Sequence, residues 1–236
     1  MTDEGAPTVL EAEDFLELLW GERECWVALP AKTNGYWIEY PLEWPLDDES
    51  LLSRRIDRCV FDDEDLYYSV TAYAERGRNI EDVLPTGWLW ADLDEVHPSA
   101  ATALGFMPTI AVESSPGKYQ ALWRLDRLYK PSTIAKVNQG LTYALGADPG
   151  GWDLTQVLRV PSTRNFKYKG APPVRMMWYN ESLVYKASDV WAAVKGAAPE
   201  VTRVVGQVLP KRAIPRKAQQ LLATKADEVE IGRAHV

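Results

Sequence analysis

Between Thr8 and Gly21 the apolar residues Leu10, Phe15, Leu16, Leu18, Leu19 and Trp20 fall at helical spacing. Thr8 is a residue type that caps helix starts and Gly21 one that ends helices, so residues 8–20 are predicted to form an amphipathic helix packed on a sheet. The period then changes to two. Cys25 to Leu29 and Tyr36 to Tyr40 read as strands flanking Asn34-Gly35, a pair whose tolerance of positive φ makes it the strongest short hairpin-turn signal. A helix is expected over residues 49–57 and a strand from Leu66 to Tyr73, with the acidic run Asp62, Asp63, Glu64, Asp65 between them as a solvated loop. The turn Pro85-Thr86-Gly87 feeds Trp88-Leu89-Trp90-Ala91-Asp92-Leu93-Asp94-Glu95, an apolar strand that ends in two carboxylates.

Past that strand, Pro98 opens a short helix ending near Gly105, and Thr109 to Glu113 is the next strand. The small polar turn Ser114-Ser115-Pro116-Gly117-Lys118 leads into the alternating strand Tyr119 to Leu125, giving a β-hairpin with a lysine in its turn. Residues 131–146 have Pro at the start and Gly at the end of a clear helix. Asp148-Pro149-Gly150-Gly151-Trp152-Asp153 is a Gly-rich turn, and Pro161 to Lys169 is basic and too rich in turn formers for a helix. A strand from Val174 to Tyr179 and a helix from Ser188 to Val194 close a domain assigned to residues 1–196. Residues 197–236 turn to Ala, Pro, Val and scattered basic side chains, with an amphipathic stretch only at 215–224, and are read as a linker or truncated tail. Ile231 to Val236 look like the translation of a sequencing-library adapter and are excluded from fold reasoning.

Composition changes this picture little. A chain of 236 residues with 46% hydrophobic content suits one main packed domain. Its ten Trp and eleven Tyr serve a β-rich core or, where exposed, base stacking. Two cysteines, Cys25 and Cys59, are too few for a disulfide scaffold or a cysteine zinc site. No signal-type segment and no run of roughly eighteen apolar residues is present, so a cytoplasmic protein without a membrane partner is expected. Charge changes more. Residues 1–113 carry 7 Lys and Arg against 25 Asp and Glu, whereas residues 114–175 carry 10 against 3. Folded onto one face, the second block would give a phosphate-attracting cleft in a protein of net charge −8.

The candidate chemistry starts at Asp92 and Asp94. Strand alternation points both the same way, about 7 Å apart at the backbone. Like charges at the end of a buried strand ask for a compensating cation, commonly a divalent metal; a solvated turn is the other reading. Asp153 could supply a third carboxylate, and Lys118 with the backbone N–H groups of the 114–117 turn suits phosphate oxygens. Arg159 could meet phosphates or simply pair with an Asp inside the fold.

Three features occur in order: Asp92-x-Asp94 closing a strand, Ser115-Pro-Gly-Lys118-Tyr-Gln120 in a hairpin, and Asp153 followed by Arg159-Val-Pro161-Ser-Thr163-Arg-Asn165-Phe-Lys167. This order resembles the archaeo-eukaryotic primase superfamily, in particular the RepB-like primase and primase-polymerase domains of plasmids and phages, over roughly residues 25–190. Two positions depart from the pattern. Gln120 stands where many members have His, and Ser162 where the third motif usually has Gly. The resemblance implies an α/β (α+β) fold with an RRM-like core, a mixed or antiparallel sheet flanked by helices. It implies template-directed nucleotide polymerisation on single-stranded DNA, with two Mg²⁺ or Mn²⁺ ions held by Asp92, Asp94 and Asp153. Ser114, Ser115, Lys118, Gln120, Arg159, Asn165 and Lys167 are then expected to contact nucleotide, phosphates or template. Nucleoside triphosphates and a single-stranded template are the implied partners, with a helicase domain a common downstream neighbour. A non-catalytic replication module that binds origin DNA, and a two-metal nuclease or phosphohydrolase, are the alternative functions.

Overall fold

The computed structural model describes residues 9–48 and 50–197. Thr8, the 215–224 stretch and, but for Ala197, the expected linker or tail lie outside the described residues. The first helix, α1 (Ala12–Trp20), buries Phe15, Leu16, Leu19 and Trp20, and Gly21 ends it at φ 67°. Phe15 meets Tyr68 edge to face at 5.0 Å, and the Trp20 indole N–H donates to the Ser69 carbonyl at 3.0 Å. The helix therefore packs on a sheet, as its stripe predicts.

The Asn34-Gly35 hairpin is longer than its two most obvious strands. Strands β1 (Cys25–Ala28), β2 (Ala31–Thr33), β3 (Tyr36–Ile38) and β4 (Pro41–Trp44) keep a single register about that turn. Cys25 lies opposite Trp44, Ala28 opposite Pro41, Ala31 opposite Ile38 and Thr33 opposite Tyr36. Asn34 and Gly35 both have positive φ, 48° and 84°, as a two-residue turn matched to strand twist requires. Helix α2 (Ser50–Phe61) then leads to β5 (Asp65–Ser69), which pairs with β2 on one side and with β9 (Val157–Arg159) on the other. The small sheet thus runs β3-β2-β5-β9.

The larger sheet is built on the two longest strands, β6 (Thr86–Asp94) and β8 (Lys118–Tyr129), paired antiparallel. On the far side of β8 lie β7 (Ile110–Ser115) and, parallel to the end of β8, β11 (Val184–Tyr185); β10 (Arg175–Tyr179) borders β7. Helices α3 (Pro131–Leu145) and α4 (Ala187–Val194) pack together, and α3 also packs against β6. Gly140 permits the helix contact: a Cβ there would lie 2.7 Å from a Val194 methyl. Leu89, Trp90, Ala91, Leu122 and Trp123 are fully buried where β6 meets β8. The result is an α+β fold of mostly antiparallel sheets flanked by helices, as expected. Among the described residues no helix is long and apolar enough to cross a membrane.

Candidate functional site

The end of β6 is anchored from three sides. The Trp90 N–H donates to Asn138 Oδ1 on α3, and the Trp90 indole donates to the Gly151 carbonyl, both at 3.1 Å. Two residues on, Asp92 lies opposite Gln120 of β8. A bulge then sets Asp94 opposite Tyr119, and Asp94 adopts φ 47°. Leu93 between them is buried, and the bulge with its positive φ at Asp94 breaks the strict alternation expected of the pair. The bulge makes them unequal: Asp92 is largely covered, whereas the Asp94 side chain is 60% exposed.

The turn after α3 closes over Asp92. The Asp148 N–H donates to the Asp92 carbonyl at 2.9 Å, and a Cβ on Gly151 would stand 3.1 Å from the Asp92 Cβ. A side chain at 151 would require the turn or Asp92 to give by a few tenths of an ångström. Burial, and next the charges of Asp94 and Asp148, push the Asp92 carboxyl up to about 6 against a weaker pull from Arg159. Among the described residues no cationic side chain forms an ion pair with Asp92.

The second motif lies beside these carboxylates. Lys118 Nζ is 3.0 Å from Glu95 Oε1 and 3.8 Å from Asp94 Oδ1, and the Glu95 hydrogen bond raises its pKa. Gln120 is buried, and its Oε1 accepts the Arg159 N–H at 3.2 Å. Ser114 and Ser115 are buried too, and the Ser114 hydroxyl donates to the Lys118 carbonyl across the hairpin.

The third motif divides. Arg159 is buried in a paired contact with Asp65, at 2.7 and 3.1 Å, and its guanidinium lies over the Tyr67 ring at 4.6 Å. Asp65 also accepts the Phe166 N–H at 2.6 Å. Asp65 is therefore no part of a solvated loop; it is 6% exposed and carries an internal ion pair, because it opens β5, two residues before Tyr67 lies opposite Arg159 of β9. Asn165 is likewise engaged inward, donating to the Ser114 carbonyl at 2.8 Å and accepting the Lys167 N–H at 3.2 Å. It ties the basic loop to the β7–β8 hairpin. Lys167 Nζ lies over its neighbour Tyr168, 5.5 Å from the ring centre.

Asp153 is engaged locally. Its Oδ1 accepts the Thr155 N–H at 2.7 Å and the Thr155 hydroxyl, closing a local turn, and its charge acts on Tyr73 and Arg78. The structure brings Asp92, Asp94, Lys118, Gln120 and Arg159 together, and Asp148 is the other carboxylate whose charge acts on Asp92. Among the described residues no three carboxylate, imidazole or thiol groups converge tightly enough to hold an ion by themselves. The two β6 carboxylates nevertheless suit a hard divalent cation of the kind held by one or two protein carboxylates plus substrate phosphates. Asp148 and Asp65 were missed in the sequence because neither sits in a motif. The one available signal was position, Asp148 four residues before a Trp-Asp pair in a Gly-rich turn and Asp65 abutting an apolar strand.

Residues 73–200 match the family described as the RepB DNA-primase N-terminal domain. No curated protein matches the chain. The fold is similar to that of the primase RepB′ crystal structure (16% identity, 94% of this chain and 67% of that one, TM-score 0.57). It is also similar to the AEP domain of the cyanophage S-2L primase-polymerase (11% identity, 78% and 96%, TM-score 0.62). A third similar structure is the catalytic domain of RepB′ in complex with initiator DNA (19% identity, 79% and 91%, TM-score 0.58).

Proposed function

Because the chain belongs to the RepB DNA-primase N-terminal domain family, we propose that it is a nucleotidyltransferase that joins nucleotides on a single-stranded DNA template. The observation that carries this reading is Asp92, a largely buried carboxylate raised to about 6, pressed by the charges of Asp94 and Asp148 and, among the described residues, in no ion pair with a cationic side chain. Such a group is suited to a divalent cation. Two Mg²⁺ or Mn²⁺ ions, when bound, would acidify the attacking 3′-hydroxyl and neutralise the triphosphate.

The chain's own residues have distinct parts in this reading. Asp92 and Asp94 are the ligands, and Asp148, whose charge acts on Asp92, is taken in place of Asp153 as the third carboxylate. Lys118 leaves Glu95 to meet triphosphate oxygens, together with backbone N–H groups of the 114–117 turn. Gln120, Asn165 and Arg159 act one step back: they lock the third motif to the hairpin and so fix the pocket's floor, and Lys167 adds cationic charge at its edge. The replication of a plasmid or phage is the setting this activity fits.

Labelled nucleotides, a primed and an unprimed single-stranded template and Mn²⁺ test it. Wild type is expected to extend, Asp92→Ala, Asp94→Ala and Asp148→Ala to lose at least a hundredfold in rate, and Asp153→Ala to retain more than any of the three. DNA binding without extension would instead identify a non-catalytic replication module, and degradation of the template a nuclease. Lys118→Ala should raise the KM for nucleotide strongly, since a charge-assisted bond contributes about 1.5–3 kcal/mol.

A further inference from the structure

At the tip of the first hairpin, aromatic side chains are exposed that the fold does not use. All three residues of β3 face solvent: Tyr36 is 76% exposed, Trp37 46% and Ile38 42%. The register places Trp37 with the site. Trp37 is opposite Lys32, Lys32 is opposite Asp65, Tyr67 follows Asp65 on the same face, and Tyr67 is opposite Arg159. One face of the small sheet therefore presents Trp37, Lys32, Tyr67 and Arg159 in a row.

These side chains also touch. Trp37 lies 4.8 Å from Tyr67 between ring centres, tilted at 53°. Lys32 Nζ lies 5.2 Å from the Trp37 ring, and the Arg159 guanidinium stacks on Tyr67 at 4.6 Å. The Arg159 backbone N–H donates to Gln120, which lies opposite Asp92. The row runs from Arg159 out to solvent. Its inner end is buried and ion-paired, and its outer end is a flat indole with an ammonium beside it.

We infer that this hairpin tip is a stacking platform for single-stranded DNA, in which Trp37 takes an unpaired base and Lys32 an adjoining phosphate. An exposed ring with a neighbouring cation matches the chemistry of a strand that offers π faces and phosphates in alternation. An apolar protein partner would gain nothing from Lys32, and duplex DNA would hide its bases. The inference rests on the proposed function only in making that strand the template.

The experiment measures affinity for a fluorescent oligo-dT and, separately, the KM for template and for nucleotide during primer extension. Trp37→Ala should weaken oligo-dT binding about fivefold or more and raise the KM for template in step, with the KM for nucleotide unmoved. Trp37→Tyr should restore most of the affinity, while Trp37→Leu, which keeps apolar bulk but has no ring, should not. Lys32→Ala should lower the salt slope of binding by about one. Equal oligo-dT affinity in wild type and Trp37→Ala overturns the inference, as does full rescue by Leu, which would mark an apolar docking surface. A rise in the KM for nucleotide alone would assign the face to the incoming base and overturn it as well. An active wild type with a Trp37-independent KM for template sinks the platform and leaves the polymerising activity standing. A Trp37-dependent binder that incorporates nothing does the reverse.

Discussion

Asp92 and Asp65 are both covered carboxylates, and they should respond to mutation in opposite ways. Asp92 titrates near 6 in the fold, above an Asp in an unfolded chain. Between about pH 4 and pH 6 the folded protein keeps a proton that the unfolded chain has released, so metal-free stability falls as pH rises through that window. Above it the ionised group costs up to about 3 kcal/mol. Asp92→Asn should therefore melt higher than wild type in chelator at pH 7.5, with a gain that vanishes near pH 4, and Mn²⁺ should raise the wild type's melting temperature but not the variant's. A variant melting no higher at pH 7.5 would show that the ionised group is not penalised. Asp65 is matched instead by Arg159 at 2.7 Å. Asp65→Ala strands a buried guanidinium and should destabilise by about 3–5 kcal/mol, read as a lower urea midpoint.

Among the elements, the short connections carry the consequences. The turn from Ala147 to Gly151 is held against β6 by the Asp148 to Asp92 backbone bond, and the missing side chain of Gly151 is what permits it. Gly151→Ala should push the turn off the carboxylates, costing about 1–3 kcal/mol and cutting incorporation more than stability. Circular dichroism melts beside extension rates check this; unchanged rates would mean the turn does not shape the site. Gly140 is a useful contrast. A Cβ there would collide with Val194 on α4, so Gly140→Ala should lower the melting temperature despite alanine's better helix propensity, while spending little of the activity at low temperature.

For the whole molecule the charges are unevenly placed. The chain is acidic overall, and Lys118 and Arg159 of its basic block gather near the two carboxylates. Others of the block sit elsewhere, Lys136 over Trp191 and Arg127 over Tyr129, so the block does not fold onto one face as a unit. Binding to oligo-dT should accordingly be weak and fall steeply between 50 and about 200 mM salt, with a slope set by a few phosphate contacts. A slope near zero, measured by anisotropy across that range, would exclude phosphate contacts as the source of affinity.

What the sequence determined by itself is local. Period and punctuation marked α1, the Asn34-Gly35 hairpin, the strand ending in Asp92 and Asp94, the short Pro98–Leu104 turn of helix, α3 and α4, because each of those signals acts within a few residues. The ordered motifs likewise pointed to the family that residues 73–200 match. Tertiary structure decided which groups meet. Asp65 lies 94 positions from Arg159, and Asp148 comes 56 positions after Asp92, pairings that strand register and a glycine contact create and that no spacing encodes. It also drew Asp153 into a turn with Thr155, and Gln120 and Asn165 into holding backbone, because a covered polar group takes the nearest partner that satisfies it. The sheet pairing β3-β2-β5-β9, closed where Tyr67 of β5 meets Arg159 of β9, is what carries Trp37 to the site.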